Sequence, residues 1–208
     1  DAQKTSTKKA ILNKDFRQAL NFAYDRKAYS DQVNGEEGAL KSVRNLYVPP
    51  TFVQVGDKNF GDVVKEDVVK YGDEWKDVDF SDATNGLYNP EKAKAEFAKA
   101  KATLQAEGVE FPIHLDIPTI QTNTLIVKRA QSLKQSIEKS LGTENVVVDI
   151  QMLSQEDVQN ITYYAPNAAA LDWDITDQLG WTPDFQDPSS YLEILHPETG
   201  DNTKSFLG

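Results

Sequence analysis

The sequence predicts an α/β fold with a largely parallel sheet. Three observations predict it. From residue 90 onward, amphipathic segments of helical period alternate with short apolar segments of strand character. The chain has 208 residues, enough to bury a substantial core in one large domain or two small ones. It contains no cysteine and no run near the ~18–20 apolar residues of a membrane span, so disulfide scaffolds and helical membrane bundles are not indicated.

The first organised segment is "NKDFRQALNFAYDRKAYSDQV". Phe16, Ala19, Leu20, Ala23 and Tyr24 share one helical face, Asn13 is the N-cap, and "VNGEEG" supplies the stop. Residues 45–89 lose this regularity. Paired prolines and scattered glycines mark a loop-rich stretch with one short helix near residues 62–71, and a connection of that length is often functional. The pattern then sharpens. "YNPEKAKAEFAKAKATLQAEG" has Asn89 as N-cap, Pro90 at the first helical position and Gly108 as the stop. "FPIHLDI" alternates as a strand, with Ile113, Leu115 and Ile117 on one face. "TNTLIVKRAQSLKQSIEKSLG" is a second helix ending at Gly142, and "NVVVDIQML" is a buried-type strand. "SQEDVQNITYY" opens on Ser154 with Asp157 three residues on, a capping-box variant. "ALDWDITDQLG" is expected as a third strand.

Composition removes several functions. A net charge of −11 argues against nucleic acid, because phosphate binding needs clustered Lys and Arg. No phosphate-binding glycine loop is present. The two histidines, His114 in a strand and His196 before Pro197, have no nucleophile constellation beside them. Asp172, Asp174, Asp177, Asp184 and Asp187 could suggest an acid pair or a calcium loop, but their spacing does not match an EF-hand.

The stretch "GWTPDFQDPSSYL", residues 180–192, stands apart by setting Asp184 and Asp187 among rings and prolines just after the expected third strand. In open α/β sheets ligands bind beyond the carboxyl ends of strands, so the position fits a binding loop. A carboxylate beside rings is costly unless a cation or donors complete it, and Trp181 and Phe185 could flank an ammonium. The competing reading is that Asp184 accepts backbone N–H bonds in a Pro-Asp turn. Composition leaves the two readings open.

"FRQALNFAYDR" and "GWTPDFQDPSSYL", with "NPEKAKAEFAKAKATL" between them, resemble the oligopeptide-binding proteins of ABC importers, extracellular solute-binding protein family 5. The insertion "TFVQVGDKNFGDVVKEDVVKYGDEWKDVDF" looks most like the streptococcal Ami/Ali-type peptide-binding lipoproteins. The resemblance covers nearly the whole chain. It implies one lobe of a two-lobed, periplasmic-binding-protein-like (type II) receptor, with a mixed sheet flanked by helices. The abrupt first and last residues read as cuts in a longer chain, so residues 1–208 are expected to be its second lobe. Within it, 11–40 is the lobe-entry helix, 45–89 the insertion, 90–180 the helix and strand core, and 181–195 the ligand-facing loop.

The resemblance implies a receptor rather than an enzyme. It would capture oligopeptides by their backbone and α-amino end and deliver them to an ABC permease and its ATPase subunits. Asp184 would pair with the peptide α-ammonium, with Trp181, Thr182, Pro183 and Phe185 around the first peptide residue. Many relatives carry Gly at position 182 and Tyr at position 185, so backbone freedom and a hydroxyl donor are lost here. No cofactor, metal or nucleic acid is implied. A monomer is expected on the outer face of the cytoplasmic membrane, held by a lipid attached outside these residues. The alternatives are an acid-pair glycosidase-type domain and a family-5 receptor for a non-peptide solute.

Overall fold

A computed structural model describes residues 2–177, 180 and 182–202. The helices are α1 (Ala2–Leu12), α2 (Lys14–Ala23), α3 (Arg26–Gly38), α4 (Phe60–Val68), α5 (Pro90–Ala106), α6 (Thr124–Leu141), α7 (Gln155–Ile161) and α8 (Pro188–Leu192). The strands are β1 (Gln54–Val55), β2 (Lys58–Asn59), β3 (Ile113–Ile120) and β4 (Val146–Leu153). β3 and β4 run parallel, in a register from Ile113 opposite Val146 to Ile120 opposite Leu153. Helix α6 makes the crossover between them, as parallel strands require. β1 and β2 form a small antiparallel hairpin in the insertion.

The core follows from the side-chain periods. Ile113, Leu115 and Ile117 of β3 and Val146 and Val148 of β4 are buried at every second position. Helix α5 buries Ala93, Phe97, Ala100 and Leu104 on one face, and α6 buries Ala130, Leu133, Ile137 and Leu141. Helix α2 adds Phe16, Ala19, Phe22 and Ala23 to the same cluster. Asn89 caps α5 by accepting the Lys92 N–H at 3.0 Å, with Pro90 at the first turn. Beyond the helix end Gly108 takes φ +74, a left-handed backbone that favours glycine. Ser154 caps α7 through the Asp157 N–H at 3.0 Å.

The structure corrects three expectations. The first predicted helix is two helices, because Tyr24 is extended and Asp25 caps α3 by accepting the Ala28 N–H. Asn85 of the insertion also donates to Asp25, so a residue sixty positions away helps fix the break. Helix α1 is an element with no expected counterpart, and Thr7 ties it to β3 by donating to the His114 carbonyl at 2.7 Å.

The expected third strand is absent among the described residues. Its segment meets β3 at Asp116, whose carbonyl accepts the N–H groups of Asp174 and Ile175. The Asp116 N–H donates instead to the Asp174 carboxylate at 2.8 Å, so a side chain takes the place of a strand carbonyl. The short helix expected near residues 62–71 is present as α4 and the 3-10 turn after it.

That contact has a pH consequence. Burial raises the Asp174 pKa above 3.8, with Asp116 and Asp172 adding repulsion, while the Asp116 N–H opposes the shift. A folded value above the unfolded one means that stability falls as pH rises through the interval between them. Asn can still accept the Asp116 N–H without carrying charge. Asp174→Asn should therefore raise the melting temperature at pH 7, and the advantage should disappear below about pH 3.8, where both states are protonated. Thermal melts of the two proteins from acid to neutral pH check this; a lower melting temperature for the variant at pH 7 contradicts it.

Candidate functional site

The site is a connection fixed at two ends, at Asp177 and at Asp187. At its entry, the Asp177 side chain is only 8% exposed. Its Oδ2 accepts the Tyr29 hydroxyl at 2.8 Å and lies 3.2 Å from Nη2 of Arg129. Arg129 also donates to the Asp177 carbonyl at 3.0 Å and, through Nε, to the Tyr29 hydroxyl oxygen at 2.8 Å. Its guanidinium sits 5.0 Å from the Tyr29 ring centroid. Helices α3 and α6 thus grip the chain three residues before Gly180, whose N–H donates to the Tyr163 hydroxyl at 3.1 Å.

The electrostatics match this geometry. Burial and the Asp177 carboxylate push the Tyr29 hydroxyl well above the usual tyrosine range, so it remains a donor. Burial works against the Arg129 charge, but Tyr29 and Asp177 outweigh it and hold the guanidinium above its ordinary value. Burial pushes neighbouring Tyr24 up to about 12.

At the exit, Asp187 accepts the Ser189 N–H at 2.9 Å and the Ser189 hydroxyl, which hold its carboxyl below the usual range. It is the N-cap of α8, with Pro188 in the first turn. Tyr191 of α8 then meets Phe52 of the insertion edge to face at 5.3 Å. The segment expected as a ligand-facing loop from 181 to 195 therefore closes in a short helix and a 3-10 turn.

Between these anchors, Asp184 is exposed, and no hydrogen bond or ion pair reaches its carboxylate among the described residues. Asp187, just before Pro188, is the acid of this stretch that takes a backbone and a hydroxyl donor, both from Ser189. Asp184 and Phe185 line one hollow of about 250 Å³, together with Glu193, Ile194 and Asp201. Phe185 is 73% exposed. Thr182 is exposed and Pro183 half-buried, and neither lines that hollow. Trp181 lies outside the described residues. Three carboxylates and an exposed ring favour a cation with an apolar body.

Sequence reasoning missed Tyr29, Arg129, Asp177 and Tyr163. The first three come together from positions 100 and 48 residues apart, and no local pattern announces such a cluster. His114, placed in a strand by the sequence, lies with Nδ1 2.6 Å from Asp149 Oδ2 across the β3–β4 pair. No group of three metal-ligating side chains occurs among the described residues. No described helix is long and apolar enough to cross a membrane.

Comparison with known proteins gives concordant results. Residues 3–203 match the family model "Bacterial extracellular solute-binding proteins, family 5 Middle". The oligopeptide-binding protein SarA of Streptococcus gordonii is 70% identical over all 208 residues, which cover 31% of that protein. The oligopeptide-binding protein AliA of Streptococcus pneumoniae is 64% identical, again over the whole chain and 32% of that protein. The chain thus spans about a third of the length of the curated relatives it matches. Among solved structures, a peptide-binding protein of a peptide ABC transporter superposes with a TM-score of 0.62. It is 21% identical, with 95% of this chain and 72% of that one covered. The substrate-binding domain of an oligopeptide ABC transporter from Bacillus anthracis gives 0.60 at 21% identity, covering 95% of this chain and 31% of that one. At such identities the superpositions bear on the fold alone. They give it as α/β and of the type II periplasmic-binding kind, here as a partial lobe. The relatives are solute-binding proteins, which does not favour the acid-pair enzyme alternative.

Proposed function

The chain belongs to the bacterial extracellular solute-binding proteins of family 5, and from that premise we propose that it is the second lobe of a longer receptor for oligopeptides. One observation carries the site assignment: Asp184 lies between two fixed ends with no hydrogen bond or ion pair to its carboxylate among the described residues, while Asp187 three residues on is engaged as a cap. A carboxylate presented this way beside an exposed Phe185 suits the α-ammonium of a peptide whose first side chain rests on the ring. The neighbouring backbone of residues 181–183 would hold the first peptide residue in extended form. Side-chain selectivity would then be weak, because main-chain groups are the same in every peptide.

In this reading the opposing lobe excludes water when it closes, and only then does the Asp184 bond reach its full strength. The receptor hands the peptide to an ABC permease with its ATPase subunits and does no chemistry on it. A lipid anchor outside these residues holds it, as a monomer, at the outer face of the cytoplasmic membrane.

Native mass spectrometry of the two-lobed receptor purified without denaturation tests the reading. The expected result is a heterogeneous set of co-purified peptides with free amino ends. A single non-peptide solute in the cleft would contradict it, and release of cleaved products on incubation with peptides would show an enzyme instead.

A further inference from the structure

We propose that Phe52 of the insertion is a positioning residue for ligand capture: by bracing Tyr191 it sets where α8 lies, and with α8 one wall of the hollow that presents Asp184. The inference rests on the proposed reading and deepens it, since it gives the insertion a part in recognising the peptide amine.

The brace is built to be stiff. Residues 49–53 belong to no helix or strand, yet three backbone hydrogen bonds bracket Phe52. The Phe52 N–H donates to the Pro49 carbonyl at 3.0 Å and closes a turn. The Gly61 N–H donates to the Pro50 carbonyl and the Phe60 N–H to the Val53 carbonyl, each at 2.9 Å, so the turn lies directly on the start of α4. A Cβ at Gly61 would stand 2.4 Å from the Pro50 Cβ and 2.9 Å from its Cα, so glycine is what permits this approach. The insertion is in turn seated on the body of the lobe. Trp75 packs on Phe22 at 5.0 Å and stacks on Phe80 at 6.1 Å, and Val78 and Phe80 belong to the buried core.

From Phe52 the path to Asp184 runs through described residues alone. Phe52 meets Tyr191 edge to face at 5.3 Å. Tyr191 stands in α8, whose first turn is tied to Asp187 by the Ser189 N–H, and Asp184 lies three residues before that cap. Ser190 of α8, with Glu193 and Ile194 just after it, lines the same hollow as Asp184 and Phe185. Helix α8 therefore rests on the insertion through Tyr191 and faces Asp184 with its neighbours. A five-residue helix has too few internal hydrogen bonds to hold its own place, so its position follows from what it packs against. A group that recognises a ligand charge is only as precise as the packing behind it.

Phe52→Ala and Tyr191→Ala remove the brace from either side, and the double variant completes a cycle in the two-lobed receptor. The readouts are melting temperature, amide exchange across 184–194, and the ratio of affinities for one peptide with a free and with an N-acetylated amine. Each single variant is expected to lower the free-to-acetylated ratio by about three- to tenfold and to speed exchange across 184–194, with little further loss in the double variant. A role confined to folding would lower the melting temperature and weaken both peptides alike. If wild type discriminates and the ratio is unchanged in the variants, the positioning role is wrong and the amine-anchor reading stands. Losses in the ratio that simply add also overturn the proposal, because the two rings then act separately. Where Phe52→Ala unfolds the insertion, Tyr191→Ala, which lies outside it, decides by the same ratio. If wild type does not discriminate, the amine-anchor reading fails and exchange decides the brace: faster exchange across 184–194 in Phe52→Ala supports it, and unchanged exchange overturns it.

Discussion

Asp184→Ala in the two-lobed receptor is expected to weaken binding of peptides with a free amino end by about ten- to a thousandfold. Among the described residues Asp184 has no hydrogen-bond or ion-pair partner, so its charge can be completed by what arrives. Closure of the lobes would dry the site, and truncating one partner of a desolvated charge pair leaves the other stranded. Asp187→Ala should act differently. It removes the cap of α8 and should lower stability slightly, with a much smaller effect on affinity. Glu193 and Asp201 share the hollow, so a residual affinity in Asp184→Ala is expected to depend on salt. Isothermal titration at two ionic strengths checks both statements. An Asp184→Ala protein that binds as tightly as wild type would remove the site assignment.

The second large effect belongs to the core. Phe22→Ala should destabilise the fold by about 3–5 kcal/mol. Phe22 has no exposed surface, packs against Trp75 at 5.0 Å and carries the Lys92 ammonium over its ring at 5.7 Å. Its carbonyl accepts the N–H of Asn89, the residue that caps α5. Phe22 therefore joins α2, the insertion and α5, through its ring and its carbonyl. Urea unfolding followed by circular dichroism measures the loss. A change under about 1.5 kcal/mol would show that the site collapses, contrary to this packing.

What could be read from the sequence was what neighbouring residues decide. The Asn89-Pro90 start of α5, the Ser154 cap of α7 and the alternation in β3 each lie within a few residues, and each is found as expected. What could not be read depends on distant partners. The break at Tyr24 and Asp25 is fixed in part by Asn85, and α1 is held by residues of β3 more than a hundred positions away. "ALDWDITDQLG" has strand composition, but Asp174 bonds β3 with its side chain where a backbone carbonyl would be needed. The candidate site divides in the same way. Asp184 and Asp187 could be picked out by their setting, yet only the structure separates the capping carboxylate from the one with no bond among the described residues. Tyr29 and Arg129 carried no local signal, because their meaning lies in meeting Asp177.

The central claim is that Asp184 meets the peptide amine, and a four-way calorimetric cycle tests it most directly. One peptide, free or N-acetylated, is titrated into wild-type and Asp184→Ala receptor, which isolates the coupling between the two groups. The account predicts that either change alone weakens binding strongly and that combining them adds little further loss. If both losses are large and simply add, the carboxylate and the amine do not interact, and the assignment is contradicted.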